Sequence, residues 1–215
     1  MEAVAPKIPL TLAERDAAPE IIRVPATLEE YWEVSELTEY NIEYVNGEIV
    51  SMGQASFTHE ALIARFTTLL NNSYDAFEQY HVLGSNVKIF AEACVASFNA
   101  DFSVVKGEPD FYRLPSGRLS TVVLKNPELV GEVLSKTTKA YDLGTKLGCY
   151  KTIPTLRHVL FVDQTQPYVT TYTRTDTPDA WLNHDYRTLD DTVRLGDLIL
   201  PMREIYRKIN FAAEV

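Results

Sequence analysis

The chain has 215 residues, 46% of them hydrophobic, which suits one domain with a substantial core. Its formal net charge of −10 argues against loose electrostatic binding to nucleic acid or to an anionic membrane, because such binding needs a cationic footprint. An enzyme that meets nucleic acid through a local basic group and a metal site stays within that bound. The two cysteines, Cys94 and Cys149, lie beside apolar residues without zinc spacing or a disulfide framework, and the expectation is a pair of buried, reduced thiols. No stretch approaches the roughly 18 apolar residues of a membrane span. The first 20 residues lack a basic start followed by an apolar core, so no signal peptide and a cytoplasmic protein are expected.

Residues 1–24 carry Pro6, Pro9, Pro19 and scattered charges, and read as an arm docked through Ile21 and Ile22; residues 25–215 read as a single domain. "TLEEYWEVSE" opens with a capping box, Thr27 with Glu30 three residues on, and Leu28, Tyr31, Trp32 and Val34 form an apolar stripe. In "NIEYVNGEIVSM", Asn46-Gly47 suits the positive backbone angles of a tight hairpin turn. "SFTHEALIARFTTLLNNSYDAF" spaces Leu62, Ile63, Phe66, Leu69 and Leu70 as a helix, with Ser56 or Thr58 as its cap.

Strands are expected at about 85–91, 101–105 and 129–134, and "GEPDFYRLPSGRLST" reads as a surface loop. A second helix is expected over about 138–151, with Leu143, Leu147 and Tyr150 on one face. "RHVLFVD" is a strongly apolar strand and "PYVTTYTR" its antiparallel neighbour. "WLNHDYRTLDDTVRL" offers a further strand and turn, and "LPMREIYRKI" a short helix with Pro201 in its first turn. The order predicts an α/β or α+β fold with a mixed sheet covered by helices.

Three acidic residues fall on or beside these strands: Glu43, Asp101 and Glu132. Alternation along a strand puts Val130, Glu132 and Leu134 on one face and Val133 on the other. Carboxylates gathered in one place repel unless a divalent cation sits between them, and Mg2+ (or Mn2+) takes oxygen ligands while keeping several waters. Such an ion could activate water and stabilise a phosphoryl transition state. A nearby lysine would help, and two are candidates: Lys136, if the strand persists, and Lys146 in the following helix.

Plainer readings stand beside these. Glu43 could be an exposed hairpin charge, Asp101 a turn ligand, and Glu132 one half of a structural salt bridge. Asp142, four residues before Lys146, would make a surface ion pair. His59 is either a cap neighbour or a group behind the ligands. His81, His158 and His184 have no metal-ligand spacing, and there is no Ser-His-Asp signature, phosphate-cradling glycine loop or dinucleotide fingerprint.

From Thr27 to Phe211 the chain resembles the Uma-two family of putative restriction endonucleases, a branch of the PD-(D/E)xK nuclease superfamily. The marks are "TLEEYWEVSE", "IEYVNGEIVSM", "SFTHEALIA", "ADFSVVKGEPDF", "NPELVGEVLSKTTKAYDLGTKLGCYKTIPTLRHVLFVDQTQPYVTTYTR" and "LDDTVRLGDLILPMREIY", in that order. The resemblance implies a restriction-endonuclease-like core, a central mixed sheet flanked by helices. It implies metal ligation by Asp101 and Glu132 with Glu43 joining, and catalytic roles for Glu43, Asp101, Glu132 and Lys146. It favours Lys146 over Lys136, because Leu134 occupies the motif's lysine position. The chain departs from the pattern at Ala100, where the family usually has Pro, and at Gly131, where it has Val or a similar strand former.

The function expected is thus a Mg2+- or Mn2+-dependent endonuclease that hydrolyses nucleic-acid phosphodiester bonds, DNA first, with a homodimer as a plausible assembly and no membrane partner. The alternative is a catalytically silent nucleic-acid-binding or protein-interaction module on the same fold, since fold does not fix function. A metal-dependent hydrolase acting on another phosphoester comes third.

Overall fold

In the computed structural model, which describes residues 7–211, the strands assemble into two large mixed sheets rather than one central sheet. The first has the order β1-β3-β2-β6-β5-β9-β8, from β1 (Ile21–Pro25), β2 (Glu43–Val45), β3 (Glu48–Met52), β5 (Lys88–Ala91), β6 (Ala96–Asn99), β8 (Phe111–Arg113) and β9 (Leu119–Leu124). The second has the order β13-β12-β11-β10-β7-β4, from β4 (Tyr80–Gly84), β7 (Phe102–Lys106), β10 (Pro127–Leu134), β11 (His158–Asp163), β12 (Val169–Arg174) and β13 (Trp181–Tyr186). A hairpin of β14 (Thr192–Leu195) and β15 (Leu198–Pro201) stands apart. Each large sheet has one parallel pair, β5 with β9 and β10 with β11.

Apolar alternation dictates the layering. Val45, Val50 and Phe98 from the first sheet meet Val130, Leu134 and Phe161 from the second in one buried layer. The opposite face of β10 sends Leu129 and Val133 into a second layer, against Leu62, Phe66 and Leu70 of α3 (Phe57–Tyr74). A third layer, with Tyr31, Trp32, Ile49 and Phe90, lies between α2 (Leu28–Leu37) and the outer face of the first sheet.

Local sequence signals act as expected in several places. Thr27 Oγ1 accepts the Glu30 N–H and the Glu30 carboxylate accepts the Thr27 N–H, closing the capping box of α2. Asn46 and Gly47 adopt φ of 55° and 75° between β2 and β3. Ser56, not Thr58, caps α3 by accepting the His59 N–H. β11 and β12 pair antiparallel, and β12 is bonded on both sides, so its backbone has no free edge.

Other expectations need correction. The segment read as a loop after β7 contains β8 and the start of β9, an edge hairpin too short and too exposed to give an apolar run. The strand expected from residue 85 begins at Lys88, after a turn. The helix expected over 138–151 is α4 (Lys139–Tyr141), a π-helical turn (Asp142–Lys146) and α5 (Leu147–Tyr150). The last helix, α6 (Met202–Ile205), starts just after Pro201.

Cys94 and Cys149 are not free thiols. They form a disulfide across 55 residues, because the fold brings their Cα atoms to 5.8 Å. Spacing along the chain carries no trace of that approach.

Of the segment read as an arm, residues 1–6 lie outside the described residues. Ile22 is buried and β1 pairs antiparallel with β3, which extends the first sheet. α1 (Leu12–Asp16) supplies Arg15, which is 2% exposed and donates to the carbonyls of Pro19, Glu20 and Met52.

Gly131 has a packing reason. A Cβ there would stand 2.0 Å from Cζ of Phe102, whose ring lies against the strand and stacks on Phe66. The glycine permits close approach rather than loosening β10. Gly131→Ala should therefore cost at least about 1–3 kcal/mol, seen as a fall of about 2–4 °C in melting temperature per kcal/mol. An unchanged melting temperature would show that the Phe102 ring yields freely. Denatured, unreduced protein should take up no iodoacetamide at Cys94 or Cys149; labelling of both would refute the disulfide.

Candidate functional site

The antiparallel register of β7 and β10 sets Gly131 opposite Phe102, which brings Glu132 level with Asp101 at the mouth of the second sheet. Asp101 bridges the gap by accepting the Val133 N–H on Oδ2 at 2.6 Å. The same oxygen lies 3.2 Å from Nε2 of His59, held in the first turn of α3. Asp101 and Glu132 line one cleft of about 480 Å³ between the sheets, together with His59, Asn99, Asp142 and Lys146.

Lys146 is the centre of the constellation. It is 2% exposed, and its ammonium lies 2.8 Å from Glu43, 3.2 Å from Glu132 and 3.4 Å from Asp142. The expected Asp142–Lys146 pair exists, but it is buried rather than on a solvated helix face. The π turn accounts for this: its wider i→i+5 geometry carries both residues inward, and such turns recur at functional sites. Lys136 is exposed beyond the end of β10 and does not continue the face of Glu132.

Each buried carboxylate is also held by neutral donors. Glu43, fully buried on β2, accepts the Asn99 N–H on Oε1 and the Tyr141 hydroxyl on Oε2, both at 2.9 Å. Glu132 accepts the Tyr150 hydroxyl on Oε1 at 2.6 Å. These partners were missed in the sequence, where Tyr141 and Tyr150 look like ordinary members of an apolar helical stripe. Their polar tips flanking Lys146 were the available signal, since a buried tyrosine hydroxyl seeks a partner.

Three carboxylates sharing one ammonium leave an excess of negative charge in a dry place. Burial pushes the Glu132 carboxyl well above its ordinary range, opposed by Lys146. Burial raises Asp142 in the same way. Burial alone would favour a neutral Lys146, but Glu132, Glu43 and Asp142 outweigh it and hold the amine firmly protonated. Burial also works against a charged His59, yet the Asp101 carboxylate tips the balance upward. His59 Nδ1 is buried without a hydrogen-bond partner among the described residues.

The donors suit a divalent cation in part. The contacts to Asp101 fall on Oδ2 and those to Glu132 on Oε1, so each keeps one oxygen for a ligand. Two hard carboxylates with room for waters match what Mg2+ takes. Glu43 is different: both its oxygens are engaged, and its link to the cleft runs through Lys146. Among the described residues, no three His, Cys, Asp or Glu side chains are grouped to hold a metal ion. His81, His158 and His184 stand away from the cleft.

A family described as "Uma2: Putative restriction endonuclease" matches residues 28–206. Two Synechocystis sp. relatives are similar and carry no assigned activity. Uncharacterized protein slr1290 is 33% identical over 162 residues, covering 75% of this chain and 80% of the relative. Uncharacterized protein sll1609 is 30% identical over 138 residues, covering 64% and 75%. The fold is shared with the crystal structure of a putative nuclease belonging to DUF820 from Anabaena variabilis. That match has a TM-score of 0.67 and 19% identity, over 85% of this chain and 98% of the other. No helix among the described residues is long and apolar enough to cross a membrane. With its match spanning both the carboxylates and Lys146, the chain belongs to the Uma2 family.

Proposed function

We propose that this chain is a divalent-metal-dependent endonuclease that hydrolyses nucleic-acid phosphodiester bonds, DNA first, on a restriction-endonuclease-like core. The observation that carries this reading is the pairing of Asp101 and Glu132 in one cleft, backed by the buried Lys146 ammonium, in a member of the Uma2 family. Mg2+ or Mn2+ held by these two carboxylates would supply Lewis acidity and a more acidic bound water.

The chain's own residues do the positioning. The Val133 N–H and His59 fix Asp101, while Tyr150 and Lys146 fix Glu132. Lys146 is held too firmly protonated to act as a base, so its role is a fixed positive charge against the charge that develops on the phosphate. Glu43 keeps that ammonium in place. A homodimer would present two such clefts to a duplex.

The competing reading is a non-catalytic nucleic-acid-binding or protein-interaction module. The engagement of both Glu43 oxygens and the absence, among the described residues, of a three-donor group favour it.

Melting with and without Mn2+ separates the two. Wild type at about 100 times the dissociation constant of Mn2+ should gain roughly 2.7 kcal/mol. Glu132→Gln removes one of the carboxylates crowded around Lys146, so in EDTA it should melt at or above wild type and then ignore Mn2+. It should also lose Mn2+-dependent cleavage of plasmid and oligonucleotide DNA; full activity would remove Glu132 from the mechanism, and a wild type indifferent to Mn2+ would favour the module. Lys146→Ala strands buried carboxylates without their cation, and should cost about 3–5 kcal/mol. A loss of only a few tenths of a kcal/mol in chemical denaturation would return Lys146 to the energetics of a surface ion pair.

A further inference from the structure

Cys149 stands inside the segment that carries the charge cluster, three residues after Lys146 and directly before Tyr150. Both of those neighbours bond Oε1 of Glu132. Cys149 is 7% exposed and belongs to the layer between the sheets. Its partner, Cys94, ends a three-residue 3-10 turn (Glu92–Cys94) between β5 and β6 and is only partly buried. Ala93 and Val95, on either side of it, are exposed. The disulfide therefore has one end in the core and the other on a surface turn.

Local propensity gives the Lys146 segment little support. It is built from helical pieces of 3, 5 and 4 residues, none long enough to be stable alone. Tyr141, Leu147 and Tyr150 anchor it in the core. Against them stands the charge cluster, in which burial works against the charged forms of Glu132 and Asp142. Opening of the segment would hydrate Lys146 and the three carboxylates together. The covalent tie to the first sheet opposes that opening, at a residue adjoining the Tyr150 donor.

We propose that the Cys94–Cys149 disulfide is a thiol-exchange site whose redox state sets the order of the Lys146 segment, with a dithiol as reductant. A thiolate of the dithiol attacks Cys94 Sγ, the accessible end. The S–S bond breaks, and its electron pair leaves on Cys149 Sγ, which takes up a proton. The second thiol of the reductant gives up its proton and attacks its own sulfur in the mixed disulfide, which releases Cys94 as a thiol. The reductant becomes a disulfide and the protein gains two thiols. Residues 139–153 are then free to open, and Lys146 withdraws from Glu43 and Glu132. The exchange and the opening stand on the fold alone; the consequence for Mn2+ rests on the metal-dependent reading above.

The test compares oxidised wild type, wild type reduced with dithiothreitol and desalted without air, and Cys94→Ser. Hydrogen–deuterium exchange is read peptide by peptide, and Mn2+ binding by calorimetry. Exchange over residues 139–153 should be about 10-fold faster or more in the reduced protein and in Cys94→Ser, with α3 and β11 unchanged. Mn2+ binding should weaken by roughly 10- to 100-fold in both. A monothiol trapped on the native protein should be found on Cys94. Exchange unchanged on reduction, or faster throughout the chain, overturns the switch and leaves the disulfide a structural staple. So does a native disulfide that dithiothreitol opens only in denaturant, or a monothiol found on Cys149. Faster exchange over 139–153 in a protein that binds no Mn2+ in either state supports the switch and defeats the metal-dependent reading. Mn2+ binding that is the same in both states, with unchanged exchange, leaves that reading intact and defeats the switch.

Discussion

A single ammonium group shared by three buried carboxylates organises this molecule. Lys146 is reached from β2 by Glu43, from β10 by Glu132 and from its own helical segment by Asp142. The two sheets and the helical segment between them therefore meet at one charge. Isolated ionised groups are too costly to bury, so the three carboxylates need the ammonium and the neutral donors Tyr141, Tyr150 and the Asn99 N–H. The disulfide from Cys94 to Cys149 ties the same helical segment to the first sheet, only three residues beyond Lys146.

That arrangement explains why Glu132 can sit in an apolar strand. Val130 and Leu134, on its own face of β10, are buried in the layer between the sheets. The face is dry except where Lys146 and Tyr150 meet the carboxylate and where the strand borders the cleft. Asp101 stands one strand away, more exposed and turned to the cleft, with its backbone-bonded oxygen also facing His59. Under the nuclease reading proposed above, Asp101 would offer a carboxylate turned to the cleft, with buried Glu132 beside it and the Lys146 ammonium as a positive charge held in place behind them.

The acidity of the chain bears on the proposed function at the same place. The net charge of −10 is not offset by any exposed basic floor in the cleft, whose cations point inward. Under the nucleic-acid reading proposed above, binding that relies on long-range attraction would therefore be a poor match, and short-range contacts would carry more weight.

The sequence by itself determined the elements whose signals are local. The capping box of α2, the Asn46-Gly47 hairpin, the amphipathic face of α3 and the strand around Glu132 all follow from interactions within a few residues. It also singled out Glu43, Asp101 and Glu132 as charges on or beside apolar strands, Lys146 mainly through the family resemblance, and His59 through its place at the start of α3. Tertiary structure decided the rest. Two sheets instead of one depend on short strands such as β4, β6, β8 and β9, of which β4 and β8 hold no buried residue and β6 is only Ala96–Asn99, so none leaves an apolar run to read. The burial of Lys146 depends on a π turn that shifts the helical period, and its pairing with Glu43 spans residues far apart in the chain. The cysteine pair and the need for glycine at 131 likewise arise from close approach between distant segments, the latter from the Phe102 ring on the neighbouring strand. Local propensity is written in the order of residues, whereas the cost of burying charge and the fit of a ring are set only once the sheets have met.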